Sequence, residues 1–282
     1  MKHSKRFKTL QYTFAILVTF FTLAPYLWLF ISSISFQRDL TKVPLKWIPD
    51  HLTFSRYVDI LTNEGNEMAY TFKIAMGNTL FVGITVMIIS LVVGSLAAYS
   101  IARYRFPFRN SITYVFLFSY MIPPVVIVIP LYLILSELGM LDQKLTLVLL
   151  DLTFVIPYVI WVMQSYFRSF PKELEEAAMI DGASRLQTLW KVVIPIVRPG
   201  ILATGVLSFL LTWEEFFFSL LFTSSLESKT ISVAIAEFSG KNAVDYGMIA
   251  TGGILATLPP LIIVALFQKQ LVSSMTAGGV KE

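Results

Sequence analysis

From Thr9 to Gln37 the chain runs for 29 residues without an Asp, Glu, Lys or Arg, and runs of the same kind recur to the C-terminus. A helix of about 20 apolar residues crosses the ~30 Å hydrocarbon layer of a bilayer. In hydrocarbon each backbone N–H and C=O must be satisfied within the segment, so such runs are helices or strands of a closed barrel, and runs this long are helices. Spans are expected at about 11–34, 74–102, 110–135, 145–167, 197–223 and 246–268, which predicts an all-α integral membrane protein of six transmembrane helices. The first run exceeds the ~7–15-residue apolar core of a signal peptide and has no clear small-residue cleavage site, so it reads as an uncleaved span. A chain that is 56% hydrophobic and 14% charged, with mean hydropathy +0.71, has too little polar surface to cover itself in water.

The segments between spans carry the charge. Residues 1–10 form a basic arm, and 37–73 a long outer loop with a short amphipathic piece at Phe54–Leu61. Residues 171–199 are the longest charged, helix-competent stretch between two apolar runs, and 270–282 form a small polar tail. Within the transmembrane portion, 11–269, Pro123, Pro124 and Pro130 imply a bend in the third span, either a packing kink or part of a pathway. With the N-terminus inside, fourteen of the 22 Lys and Arg residues fall on the cytoplasmic side and eight outside. The positive-inside rule then places both termini and the 171–199 loop in the cytoplasm.

Several chemistries are excluded. Cysteine is absent and the two histidines, His3 and His51, lie outside the apolar runs, which leaves no thiolate or histidine cluster for catalysis or for a metal. No Walker loop, H-E-x-x-H or G-x-S-x-G occurs, so the chain is not expected to be an enzyme by itself. The net charge of +4 comes from cations flanking apolar spans, which points to membrane lipid rather than nucleic acid.

The 171–199 loop reads as two short helices. Pro171 suits a first helical position, Gly182 suits a left-handed helix end, and Ser184 stands three residues before Gln187 in capping-box spacing. Pro195 and Pro199 are expected to close the segment. Leu174 and Ala178 share a face at i, i+4, and Ala177 and Ala178 are small enough for close approach to a partner. A second group of interest is acidic. Asp151, Glu214 and Glu215 fall inside apolar runs, where a carboxylate is costly and faces a bundle interior or a water-filled cavity. With Trp213 they form a candidate substrate path, because carboxylates accept hydrogen bonds from hydroxyls and an indole stacks on a sugar face; a structural hydrogen bond to a neighbouring helix is the alternative.

Glu176-Ala177-Ala178, three residues, Gly182, nine residues, and Val192-Val193-Ile194-Pro195 resemble the EAA loop of permease subunits of binding-protein-dependent ABC importers. Further matches cover nearly the whole chain. Ala97 to Arg103 with Phe106-Pro107 looks like the end of the second span of sugar-importing members, and Trp47-Ile48-Pro49 like their first outer loop. Thr276-Ala277-Gly278-Gly279-Val280-Lys281 looks like the tail of the smaller maltose-transporter-type membrane subunit. Trp213-Glu214-Glu215-Phe216 is similar to the family's Trp-Asn-Glu-Phe, with Glu214 in place of Asn.

The resemblance implies the type I importer permease fold and a sugar or oligosaccharide cargo. It implies a homologous second membrane subunit, making a heterodimer, two ATPase subunits, and an extracytoplasmic sugar-binding protein, in a bacterial or archaeal cell membrane. ATP and Mg2+ would bind the ATPase subunits and no cofactor this chain. Glu176, Ala177, Ala178, Asp181, Gly182 and Pro195 would form the coupling loop, and Thr276, Ala277, Gly278 and Lys281 would reach toward the ATPases. A competing reading from the buried acids alone is a secondary carrier driven by an ion gradient.

Overall fold

The computed structural model describes residues 5–62, 67–238 and 244–277. In order, the helices are α1 (Lys5–Ser33), α2 (Gln37–Leu40), α3 (Ser55–Thr62), α4 (Glu67–Arg103), α5 (Arg109–Met121), α6 (Pro124–Glu137) and α7 (Lys144–Ser169). They continue with α8 (Lys172–Ile180), α9 (Arg185–Thr188), α10 (Ile194–Trp213), α11 (Phe217–Phe222), α12 (Ile231–Glu237) and α13 (Tyr246–Ala277). Among the described residues the only β pairing is a single bridge, Ser35 with Leu52. Among the described residues five helices are long and apolar enough to cross a membrane, and α5 with α6 makes a sixth span if the bent pair is one crossing.

That pair bends by 87°, so the bend expected in the third span is a full break between two helices. Pro124 restricts the residue before it to extended backbone, and Pro123 accordingly sits at φ −60, ψ 128. The helix therefore stops at Met121 and restarts at Pro124, which as a first-turn residue has no N–H to lose. The last helix runs on to Ala277, through residues expected to be tail. Residues 268–277 hold neither Gly nor Pro, and nothing in them stops a helix.

Contacts divide the chain into two units. The first comprises Met1–Lys73 with Ala234–Leu258. Its order comes from Arg56, a buried cation on α3, the helix that occupies the predicted amphipathic stretch. Arg56 donates to the Ser35 carbonyl at 2.7 Å and pairs with Asp245 at 3.3 Å. The Tyr57 hydroxyl meets Ser33 Oγ at 2.6 Å, and Gln37 donates to the Val244 carbonyl at 2.6 Å. Gly247 packs directly under the guanidinium, and a Cβ there would lie 2.1 Å from Arg56 Cζ.

The second unit comprises Ile74–Val233 with Pro259–Glu282, and α7 is its centre. Leu147, Asp151, Val155, Val159, Met163 and Phe167 follow one another at i+4 and are all buried. An i+4 row winds slowly round a helix, so α7 is covered from more than one side. Backbone approach is close where Gly94 of α4 faces Val159, at 2.6 Å from where a Cβ would stand.

The connection from α6 to α7 is fixed by Asp142. Its N–H donates to the Phe222 carbonyl, and its Oδ1 accepts from the Ser224 and Ser225 N–H groups at 2.8 and 2.9 Å and from the Ser228 hydroxyl. Burial opposes ionisation here, but the backbone and hydroxyl donors outweigh it and hold the carboxyl below the usual carboxylate range. A lowered folded pKa contributes stability that is complete above the ordinary value near 4 and is lost as pH falls below it. Asp142→Asn is expected to cost about 1.5–3 kcal/mol at pH 7. The gap in melting temperature from the unsubstituted protein should narrow as pH drops from about 4 toward 2. A gap that stays constant over that range would contradict the assignment.

Candidate functional site

The charged segment after α7 folds as the capping signals predicted. Pro171, extended at φ −60, ψ 129, sits one position earlier than expected, as the N-cap of α8 rather than its first residue. Glu173 and Glu175 in the first turn complement the positive helix end. At the other end Ala183 N–H donates to the Ala178 carbonyl and Gly182 N–H to Met179, with Gly182 at φ +86, the Schellman arrangement. Ser184 and Gln187 then exchange side chain–backbone bonds of 3.3 and 2.9 Å in a complete capping box that starts α9.

Pro195 and Pro199 do not close the segment. Leu189–Val193 form a π turn that carries α9 straight into α10. The wider turn moves hydrogen bonding from i−4 to i−5 just before Pro195, which occupies the first turn of α10. The loop is thus one short helix followed by the lower end of a span.

The inner face of α8 is polar. Lys172, Glu175, Glu176 and Met179, spaced i, i+3, i+4, i+7, line a cleft of about 250 Å³ together with Tyr99, Arg103, Tyr104, Arg185 and Thr188. At its base Arg103 Nε lies 2.6 Å from Glu175 Oε1, and the two side chains are 7% and 10% exposed. Tyr99 Oη donates to Glu175 Oε2 at 3.0 Å, while Arg103 Nη2 donates to the Phe170 carbonyl at 2.9 Å and its guanidinium covers the Phe170 ring. The end of α4 therefore grips both the first turn of α8 and Phe170 at the end of the preceding span. The outer face holds Leu174, Ala177 and Ile180, all exposed, and continues through exposed Leu186 and Trp190. Glu176, Asp181 and Pro195 are exposed and Ala178 is half-buried.

The acidic group separates into three environments. The fifth apolar run breaks after Trp213, and Glu215 explains the break. Its two carboxylate oxygens accept from the Phe218 and Ser219 N–H groups at 2.7 and 3.0 Å and so cap α11. Ser232 Oγ donates to the Glu215 carbonyl at 2.9 Å. Glu214 is exposed, whereas Trp213 is 7% exposed with its ring against Phe209. Asp151 is 2% exposed, its Oδ1 has no hydrogen-bond partner, and Glu215 lies near enough to act on it electrostatically. Thr276 and Ala277 end α13, and Gly278 and Lys281 lie outside the described residues.

Residues 90–277 match the family described as binding-protein-dependent transport system inner membrane component. The chain belongs to this family. The permease is 33% identical to the trehalose transport system permease protein SugB of Mycobacterium tuberculosis, over 94% of each chain. It is 32% identical to the trehalose/maltose transport system permease protein MalG of Thermococcus litoralis, over 95% of the permease and 94% of that protein. The sulfoquinovosyl glycerol transport system permease protein SmoH of Agrobacterium fabrum is 29% identical over 97% and 94%. Among solved structures, a chain of a bacterial ABC transporter that imports the acidic polysaccharide alginate superposes with a TM-score of 0.74 at 22% identity, covering 95% of the permease and 99% of that chain. The fold is thus the importer permease fold.

Sequence reasoning picked out Glu176 and left Glu175 unremarked, although Glu175 is the carboxylate that holds α8 in place. The signal was available in the i, i+3, i+4 stripe of Lys172, Glu175 and Glu176, flanked by the apolar positions Leu174 and Ile180. Arg103 enters the sequence reading only as the last residue of the Ala97–Arg103 match. Nothing in its spacing marks it as the paired one.

Proposed function

We propose that the permease and a homologous second membrane subunit together enclose the path of an ATP-driven importer for a sugar or oligosaccharide. An extracytoplasmic binding protein delivers the cargo, and α8 with α9 docks on one of two ATPase subunits, which bind ATP and Mg2+. The observation that carries the coupling assignment is the two-sided build of α8. One face is fastened to α4 through Glu175 and Arg103, and the other presents Ile180 at 85%, Leu186 at 64% and Trp190 at 59% exposure. A helix pinned on one side and apolar on the other suits a groove in a partner. Both termini and this loop face the cytoplasm, supported by the cation distribution. The cargo class is supported by the relatives, which are named for trehalose, maltose and sulfoquinovosyl glycerol. ATP binding would draw the coupling helices together and shift the membrane subunits toward an outward-open state. Glu176, Ala177, Ala178, Asp181, Gly182 and Pro195 belong to the docking segment, and Thr276, Ala277, Gly278 and Lys281 to a tail directed at the same partners.

For the path, Asp151 is the residue with free hydrogen-bonding capacity, because Glu215 is committed to α11 and Trp213 to Phe209. Glu214, exposed beside the break, is the second carboxylate open to cargo.

Reconstitution in proteoliposomes tests the proposal. Trehalose or maltose uptake should require ATP inside, the binding protein outside and the ATPase subunits. Uptake by the permease alone, driven by a proton or sodium gradient, would refute it in favour of a secondary carrier. In the complete system Glu214→Ala should weaken the apparent affinity for sugar in the stimulated ATPase assay; an unchanged affinity would remove Glu214 from the path.

A further inference from the structure

Arg105 and Arg109 follow the apolar helix α4 by two and six residues, just past its charge-free stretch. With Phe106, Phe108 and Ser111 they line a separate cleft of about 350 Å³. Neither arginine forms an ion pair among the described residues. Arg109 spends one nitrogen on a long bond of 3.4 Å to the Ala102 carbonyl, and its Nε is buried without a partner. Buried donors normally find acceptors, so an orphan guanidinium N–H beside a cleft marks a missing one.

The backbone adds to this demand. The N-terminus of α5 lies within the same cleft, for Phe108, Arg109 and Ser111 all line it. Its N-cap is Phe108, held at φ 61, which has no side chain able to accept from the first-turn N–H groups, and no acid occupies the first turn. A positive helix end with no side-chain cap, two guanidinium groups with no ion pair and a hydroxyl converge on one place. The aromatic rings beside them set the depth. Phe108 is 79% exposed and Phe106 packs into the core edge, the arrangement of interfacial aromatics at the headgroup level.

We propose that this cleft binds the phosphate of an anionic phospholipid, with Arg105, Arg109, Ser111 and the α5 N-terminus as donors and Phe108 against the glycerol and upper acyl chain. The shared chemistry is that of a phosphate anion, which free phosphate in solution would also offer. Position at the end of a membrane span and an exposed phenylalanine favour the lipid, since neither serves a small water-borne anion. The assignment depends only on insertion of the chain in a membrane and not on the nature of its cargo.

The test uses the complete transporter in detergent, titrated with phosphatidylglycerol or phosphatidylcholine and read by native mass spectrometry, with inorganic phosphate as a competitor in a parallel arm. Phosphatidylglycerol should be retained on the order of thirtyfold better by the unsubstituted complex than by Arg105→Gln/Arg109→Gln, the loss expected from two interfacial cations. Ser111→Asp guards against misfolding. An acid in the first turn of a helix is stabilising, so this variant should melt no lower than the unsubstituted complex and still lose the lipid. Equal retention by the variants, equal retention of the two lipids, or displacement by millimolar phosphate overturns the proposal. Loss of the ATPase subunits from the variants with lipid retention unchanged also overturns it, and assigns the cleft to a protein partner.

Discussion

Arg103→Ala is expected to abolish coupled uptake while leaving the chain in the membrane. The substitution leaves Glu175 buried with no cation, the situation in which removing one partner of a buried pair costs about 3–5 kcal/mol. Relief comes when the carboxylate escapes to water, and that requires α8 to swing away from α4. Glu175→Ala should be similarly severe, because it strands the guanidinium. The double replacement Arg103→Met with Glu175→Leu, which removes both charges, should be milder than either single change. Thermal melting and sugar uptake measured on the unsubstituted protein, Arg103→Met, Glu175→Leu and their combination form the cycle. Additive losses in the double variant would mean that the two residues act separately. Tyr99→Phe removes one charge-assisted bond and should cost about 1.5–3 kcal/mol, an intermediate effect.

Gly182→Val should have the second largest effect, and its origin is different. Nothing lies within 4 Å of where a Cβ would stand, so the cost is one of backbone conformation alone. At φ +86 a β-branched residue pays on the order of 1–3 kcal/mol, and the Schellman bonds of Ala183 and Gly182 give way first. Those bonds set the angle between α8 and α9. The variant should insert and melt close to the unsubstituted protein, yet hydrolyse ATP in its complex without moving sugar. Gly182→Ala should show the same defect in weaker form. Uptake at the normal rate in the valine variant would discard the turn as a coupling element.

The spans were legible because a bilayer imposes one length and one backbone solution on any apolar run. The α8 to α9 turn was legible because Gly182, Ser184 and Gln187 each answer a local backbone demand. What stayed hidden depends on partners distant in sequence. Glu175 and Arg103 are separated by 72 residues, and no local pattern reveals that they meet. Glu215 stands out in the sequence as an acid within an apolar run, but its partners, the N–H groups of Phe218 and Ser219, depend on a helix break that the apolar run conceals. The π turn left no trace in composition, since its five residues suit an α-helix equally well. The expectation that Pro195 ends the segment failed for that reason.

The π turn at Leu189–Val193 also sets an azimuth. One residue beyond α-helical count sets everything after it back by about 100° from its place on an unbroken wheel. A helical wheel drawn unbroken from Arg185 to Trp213 therefore misassigns the faces of one half. Deleting a single residue from this stretch would leave a regular helix and keep the bearing of Leu186 on α10, whereas winding the turn as α-helix with all its residues in place would swing that edge by about a quarter-circle. The turn is the dial that fixes which way the cytoplasmic end of the span points.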